Sequence, residues 1–340
     1  MRLLVFTQKV DINDSILGFF HTWLLEMAKK AESIEVVCLM KGDYSLPSNV
    51  SVYSLGKEDG SSRFKYLKNL FHYLFLIRDS YDNVFVHMNQ EYVLLVGLYW
   101  RLKRIPIYLW RNHPKGSFIT RIAVMFSTKV FCTSVGSFTA RFKKTVIMPV
   151  GIDTNTFRPI ETIVRKKYSV CVVGRIASIK HIELALYAIN TIISSGSQIS
   201  LTIVGSPLEA DLNYYGMLKK YVSEHDLLMY VNFVNEVSPG KVSEIYNSHE
   251  VCLNLTESGS FDKTIVEAAA CEAIPVVSNE SLSHLLPEAC ITGNKPETIA
   301  NSLKRVLDAH ERMELQKELK SFVESQSLET LMEKLFIEMQ

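Results

Sequence analysis

Short apolar runs alternate with longer amphipathic stretches along most of the chain. LLVF (3–6), IEVVCL (34–39), NVFVHM (83–88), IPIYLW (105–110) and KVFCTS (129–134) mark the first half. YSVCVVG (168–174), ISLTIVG (199–205), YVNFV (230–234), EVCLNL (250–255) and IPVVS (274–278) repeat the rhythm in the second. Strand-length runs separated by helix-length segments predict βαβ units on a parallel sheet. The expected fold class is therefore α/β, with two Rossmann-like, doubly wound lobes.

At 340 residues the chain exceeds what one hydrophobic core usually supports, which agrees with two lobes. Between the halves, MPVGIDTNTFRPIETIVRKK (148–167) holds Gly, two Pro and no sustained period, as a connection would. The expected domains are residues 1–154, 155–325, and a C-terminal helix over 326–340 that packs back on the first lobe. The stretch from Glu311 to Gln340 has helical period and carries no chemistry of its own.

Composition narrows the class. With 47% hydrophobic and 21% charged residues the chain is globular rather than disordered. The longest uninterrupted apolar stretch, Tyr92 to Trp100, falls far short of the roughly 20 residues of a membrane-spanning helix. The opening MRLLVFTQK lacks the pattern of a secretion signal. A cytoplasmic location is expected. The six cysteines lie far apart without metal-ligand spacing and read as buried thiols. The net charge of +1 conceals an asymmetry: residues 1–160 hold 21 Lys and Arg against 12 Asp and Glu, the remainder 16 against 24. A basic first lobe suits a phosphate-bearing or membrane-surface partner, or is a scattered solvated surface. The stripe RFKYLKNLFHYLFLIR (63–78) mixes cations and aromatics at helical spacing; it is core packing or a peripheral contact at the inner face of the membrane. No basic stripe has the interleaved stacking aromatics of a nucleic-acid binder.

Ligands of open parallel sheets sit outside the carboxyl ends of strands. The dinucleotide fingerprint GxGxxG occurs at none of these junctions, which disfavours a nicotinamide enzyme. Gly174-Arg175 ends one strand and Lys180 precedes a helical pattern, so two cations converge where an anion would reward both them and a helix end. In SGSFDKTIVEAAACEAIPVVS (258–278) a polar loop leads into a helix expected to carry Glu267 in its first turn. That carboxylate would accept both hydroxyls of a ribose, or Thr264 and Glu267 form a capping box. Lys263 is harder to explain by capping. His113 in LWRNHPKG (109–116) and His87 and Glu91 in HMNQEY (87–92) follow strands of the basic lobe, where a lone histidine is more often structural. Gly18, near the first helix, admits close approach of a ligand or simply a turn.

Taken in this order, these pieces resemble the family 4 retaining glycosyltransferases of GT-B fold, also grouped as glycosyl transferases group 1. The family's G-R-x-x-x-x-K-G is matched by Gly174, Arg175 and Lys180, with His181 in place of the last Gly. Its E-x7-E signature falls on Gly259 through Ala268; Phe261 and Glu267 match, while Gly259 replaces the first Glu. PVGIDTNTF (149–157) resembles the family's N-G-I-D-x-x-x-F.

The resemblance implies metal-independent, retaining transfer of a hexosyl group from a UDP- or GDP-sugar to a glycan or lipid-linked acceptor, as in polysaccharide biosynthesis. The donor is a substrate and no cofactor or metal is expected. Arg175 and Lys180 would hold the diphosphate with Lys263 and Thr264 beside it. Glu267 would hold the ribose. Glu236, in VNFVNEV (231–237), would border the base, and His113 with Glu91 would form the catalytic side. The first Glu of the signature contacts the transferred sugar in the family, so Glu257 or Asp262 is expected to stand in. The alternatives are a nucleotide-sugar-binding protein without transferase activity and a sugar-nucleotide epimerase.

Overall fold

A computed structural model describes residues 1–14, 17–259 and 261–340. The chain divides into two compact units, Met1–Pro149 with Leu328–Gln340, and Val150–Ser327.

The first unit runs β1 (Arg2–Val10), α1 (Phe19–Lys30), β2 (Ser33–Lys41), β3 (Val50–Ser54), α2 (Arg63–Leu76), β4 (Asn83–His87), α3 (Glu91–Leu102), β5 (Ile107–Trp110), α4 (Phe118–Phe126), β6 (Lys129–Cys132) and β7 (Thr145–Ile147). Its seven strands are parallel in the order β3-β2-β1-β4-β5-β6-β7. Alternate residues of β1 enter different cores: Leu3 and Val5 pack on the side of α1, Leu4 and Phe6 on the side of α2, α3 and α4. Both faces of a parallel sheet are thus covered, which is why its strands read as continuous apolar runs.

The second unit runs β8 (Ser169–Val173), α5 (Ile182–Ser194), β9 (Ser200–Val204), α6 (Leu212–Glu224), β10 (Val231–Val234), α7 (Pro239–Ser248), β11 (Val251–Asn254), α8 (Lys263–Ala270), β12 (Ile274–Val277), α9 (Pro296–Val306) and α10 (Ala309–Ser325). Its strands, all parallel, are ordered β10-β9-β8-β11-β12. The last helix, α11 (Leu328–Glu338), belongs to the first unit, where Leu331, Met332 and Leu335 join the core beneath α1.

The two doubly wound α/β sheets expected from the sequence are present, and each of the ten apolar runs holds a strand. The pattern missed β3 and β7, the sheet edges at the two ends of the first unit. Both are short, and their side chains are mostly half-buried, so neither writes a buried run into the sequence. In each sheet the strand order reverses beside the first strand, between β1 and β4 and between β8 and β11. Ligands of open α/β sheets bind outside the carboxyl ends of the strands at such a reversal.

Candidate functional site

In the second unit the reversal brings together the chain after β8 and the chain after β11. Gly174 leaves β8 with φ +135°, and Gly205 leaves β9 with φ +145°. A methyl on Gly205 would lie 2.0 Å from the Gly174 carbonyl oxygen, so the two strand ends approach as only glycine permits. Gly205 was not among the residues singled out from the sequence, because the contact joins two segments 31 positions apart.

Past Gly174, Arg175 is exposed and makes no ion pair among the described residues. Lys180 closes a short 3-10 turn, Ser178–Lys180, rather than lying in the first turn of α5. Its ammonium pairs with Asp262, the N-cap of α8. Asp262 also accepts Asn254 Nδ2 (3.0 Å) and the Thr264 amide (3.2 Å). Burial pushes the Asp262 pKa up, but the Lys180 charge and these hydrogen bonds outweigh it and hold the carboxyl below its usual range. Asn254, at the last position of β11, gives a further bond to Thr264 Oγ1 (2.9 Å). The sequence signalled Asn254 only as a polar residue inside an apolar run.

The capping-box reading of Thr264 and Glu267 is overturned. Asp262 caps α8, Thr264 lies in its first turn, and Glu267 sits at the fifth position, past that turn. Glu267 accepts a hydrogen bond from the buried Tyr246 hydroxyl (3.3 Å). Desolvation raises the Glu267 pKa and lowers that of Lys263, one helical turn earlier; their mutual attraction opposes both shifts. Lys263 at the first position of α8 faces the unfavourable end of the helix dipole. The helix dipole therefore disfavours the lysine, whereas an anion at the helix start would favour it. Arg175, Lys180 and Lys263 converge on these strand ends, interleaved with the carboxylates Asp262 and Glu267.

His181 adopts a left-handed conformation (φ 48°, ψ 42°) at the entry to α5. Its ring contacts Glu183 (Nδ1 to Oε1, 3.1 Å) and Glu257 (Nε2 to Oε1, 3.3 Å). The histidine that replaces the family glycine at 181 is thus linked to a carboxylate two residues before Gly259. Gly259 itself is buried with φ +123°. Ser260 lies outside the described residues. Phe261 points into the core and stacks on Phe322 at 6.2 Å, so its ring does not line the polar surface. Glu236 is exposed, and its amide bonds Ser206 Oγ (3.2 Å).

In the first unit, His113 is exposed in the loop after β5, with Nδ1 3.0 Å from the Lys115 amide. Arg111 clamps the same loop through the Lys115 carbonyl (3.1 Å); burial lowers its pKa, and the charge of Glu91, at the exposed start of α3, counteracts this. His87 is structural: it is buried, stacked on Phe20 at 4.2 Å, with Nδ1 3.4 Å from Thr7 Oγ1. Gly18 is required by its own loop, since a methyl there would meet the Asp14 carbonyl oxygen at 2.4 Å.

The sequence profile of the glycosyl transferases group 1 matches residues 153–325, the segment that holds every one of these second-unit features. No curated protein sequence matches the chain. Among solved structures, Anabaena Alr3699/HepE in complex with UDP and glucose superposes with a TM-score of 0.77 at 15% identity, over 99% of this chain and 98% of that one. Sucrose-phosphate synthase from Thermosynechococcus elongatus gives 0.77 at 15%, over 99% and 98%. WaaG, a glycosyltransferase involved in lipopolysaccharide biosynthesis, gives 0.67 at 12%, over 99% of each chain. At these identities the likeness is one of fold, GT-B.

Proposed function

From the premise that this chain belongs to the glycosyl transferases group 1 family, and so is a glycosyltransferase using a nucleotide-sugar, we propose that it takes a UDP-sugar and transfers a hexosyl group with retention and without metal. The domain that matches the family holds the donor, and the first unit supplies the acceptor side, with His113 orienting the sugar and Glu91 its polar partner. The acceptor is a glycan or a lipid-linked sugar.

The observation that carries the reading is Glu267: a half-buried carboxylate, released from any capping duty, one turn after Lys263 in the helix that the Lys180–Asp262 pair opens. A ribose offers two hydroxyl donors to such a carboxylate, and its ionised form gains most from them. The diphosphate takes Arg175, Lys180 and the amides after β8 and before α8, with Lys263 and Thr264 alongside. As the glycosyl bond breaks, negative charge grows on the leaving diphosphate, where fixed cations and N–H donors stabilise it without reorganisation. Glu236 borders the base. That a structural neighbour was solved with UDP and another of its complexes with UDP-glucose supports uridine as the base to test first.

Calorimetric titration without added metal tests this. UDP is expected to bind the wild type and GDP much more weakly, with Glu267→Ala losing at least about tenfold in affinity for UDP, the scale of a lost charged hydrogen bond. Equal binding by wild type and variant removes Glu267 from the ribose. Gly259 in place of the sugar-contacting Glu favours a second reading, a nucleotide-sugar binder without transfer; it would show donor binding with neither transfer nor slow hydrolysis.

A further inference from the structure

Helices α2, α3 and α4 cover one face of the seven-stranded sheet. Leu70 and Leu74 of α2, Val96 and Trp100 of α3, and Ala123 and Val124 of α4 close a single core with β1, β4 and β5. The outward sides of the same helices are apolar as well. Phe64 is 86% exposed, Leu102 77% and Phe118 75%, with Phe71, Phe75 and Leu98 also in solvent. Across the sheet, α1 leaves no large apolar side chain exposed among its residues. Single exposed hydrophobics are ordinary, but aromatic and aliphatic groups repeated over three helices of one face mark an interaction surface.

The charge on this face has one sign. Residues 63–78 contain Arg63, Lys65, Lys68 and Arg78 and no Asp or Glu. On α3, the turn after it and α4, Arg101, Lys103, Arg104 and Arg121 are exposed, and residues 92–126 contain no Asp or Glu. The carboxylates nearest in sequence, Asp59, Asp79, Asp82 and Glu91, flank the helices at their ends. A second copy docked through the same face would set cation against cation. A nucleic acid would reward the cations and leave Leu98 and Leu102 in water. An anionic lipid surface takes both: the cations attract the headgroups, and the apolar side chains enter the headgroup–acyl boundary.

We propose that the α2–α3–α4 face docks this protein on an anionic lipid bilayer. The proposal stands apart from the donor chemistry, since none of these residues belongs to the nucleotide site.

Co-sedimentation of the full chain with phosphatidylcholine vesicles, with and without phosphatidylglycerol, tests it. Binding is expected only to the anionic vesicles and is expected to weaken at about 0.5 M salt. Replacing three surface cations (Lys65→Glu, Lys68→Glu, Arg101→Glu) should lower the partition coefficient by roughly a hundredfold, and Phe64→Ser with Phe75→Ser should weaken it separately. A cooperative melting transition of the first unit, followed by circular dichroism, shows whether each variant is folded. The absence of binding at low salt, binding to neutral vesicles alone, or binding unchanged in folded variants overturns the proposal. So does a concentration-dependent dimer in buffer that the same variants abolish, which would make the face a contact between copies.

Discussion

At the scale of the residue, the informative positions are those where the chain departs from its family's pattern. Gly259 supplies no carboxylate, and its φ of +123° fits glycine and resists a larger residue, so the lost Glu has no easy return. Of the two candidates to replace it, Asp262 is committed to Lys180, Asn254 and the α8 amide. Glu257 reaches solvent and is steadied by His181. If Glu257 contacts the transferred sugar, Glu257→Gln lowers the transfer rate by at least about tenfold while UDP affinity stays unchanged, because the nucleotide is bound elsewhere. His181→Gly should give a smaller loss of the same kind, since it removes only the support. A fall in UDP affinity for either variant, measured by calorimetry beside turnover, would place them in the nucleotide site instead.

The entry to α8 is where sequence reasoning and structure differ most: a Thr–x–x–Glu spacing suggests a box, yet Asp262 caps the helix. The cap prevails because Asp262 satisfies the Thr264 amide, Asn254 and Lys180 at once, a set of partners invisible to a local pattern. Asp262→Ala removes the cap and strands a half-buried lysine, an expected cost of about 3 kcal/mol. The melting temperature should fall by roughly 6–12 °C. The pH dependence has a definite sign. Asp262 titrates lower in the fold than in the unfolded chain, so its contribution is full above the unfolded carboxylate range and is lost as pH falls through its depressed folded value. The gap in melting temperature between wild type and variant should therefore narrow as pH falls below the ordinary carboxylate range. A gap that stays constant would show that the fold does not lower the Asp262 pKa.

For the molecule as a whole, the route of the chain matters. It leaves the first unit at Pro149, builds the second, and returns at Leu328. There α11 buries Leu331, Met332 and Leu335 with Trp23 and Leu24 of α1, and Lys129 pairs with Glu338 at 2.9 Å. Burial of those side chains with Leu328 is worth on the order of 6–12 kcal/mol, comparable to the whole stability of a domain. Truncation after Ser325 should therefore leave the first unit unfolded, read as aggregation and as loss of its melting transition. A soluble, cooperatively melting product would show that α11 is dispensable.

The sequence alone carried what depends on periodicity and on local chemistry. Ten of the strands are legible in it because strands buried on both faces must be continuously apolar. The residues proposed for the donor site stand out because they fall at strand ends, in a spacing that resembles the family's. Edge strands β3 and β7 were not legible, since half-exposed side chains impose no pattern. The tertiary structure alone decided which polar residues are free. Lys180 and Asp262, 82 positions apart, pair with one another. His87, which resembled a site residue, stacks in an aromatic core, while Glu267, which resembled a cap, is left at the site. Each of those outcomes depends on partners brought together by long-range strand pairing, and a linear pattern contains no record of which distant side chain will arrive.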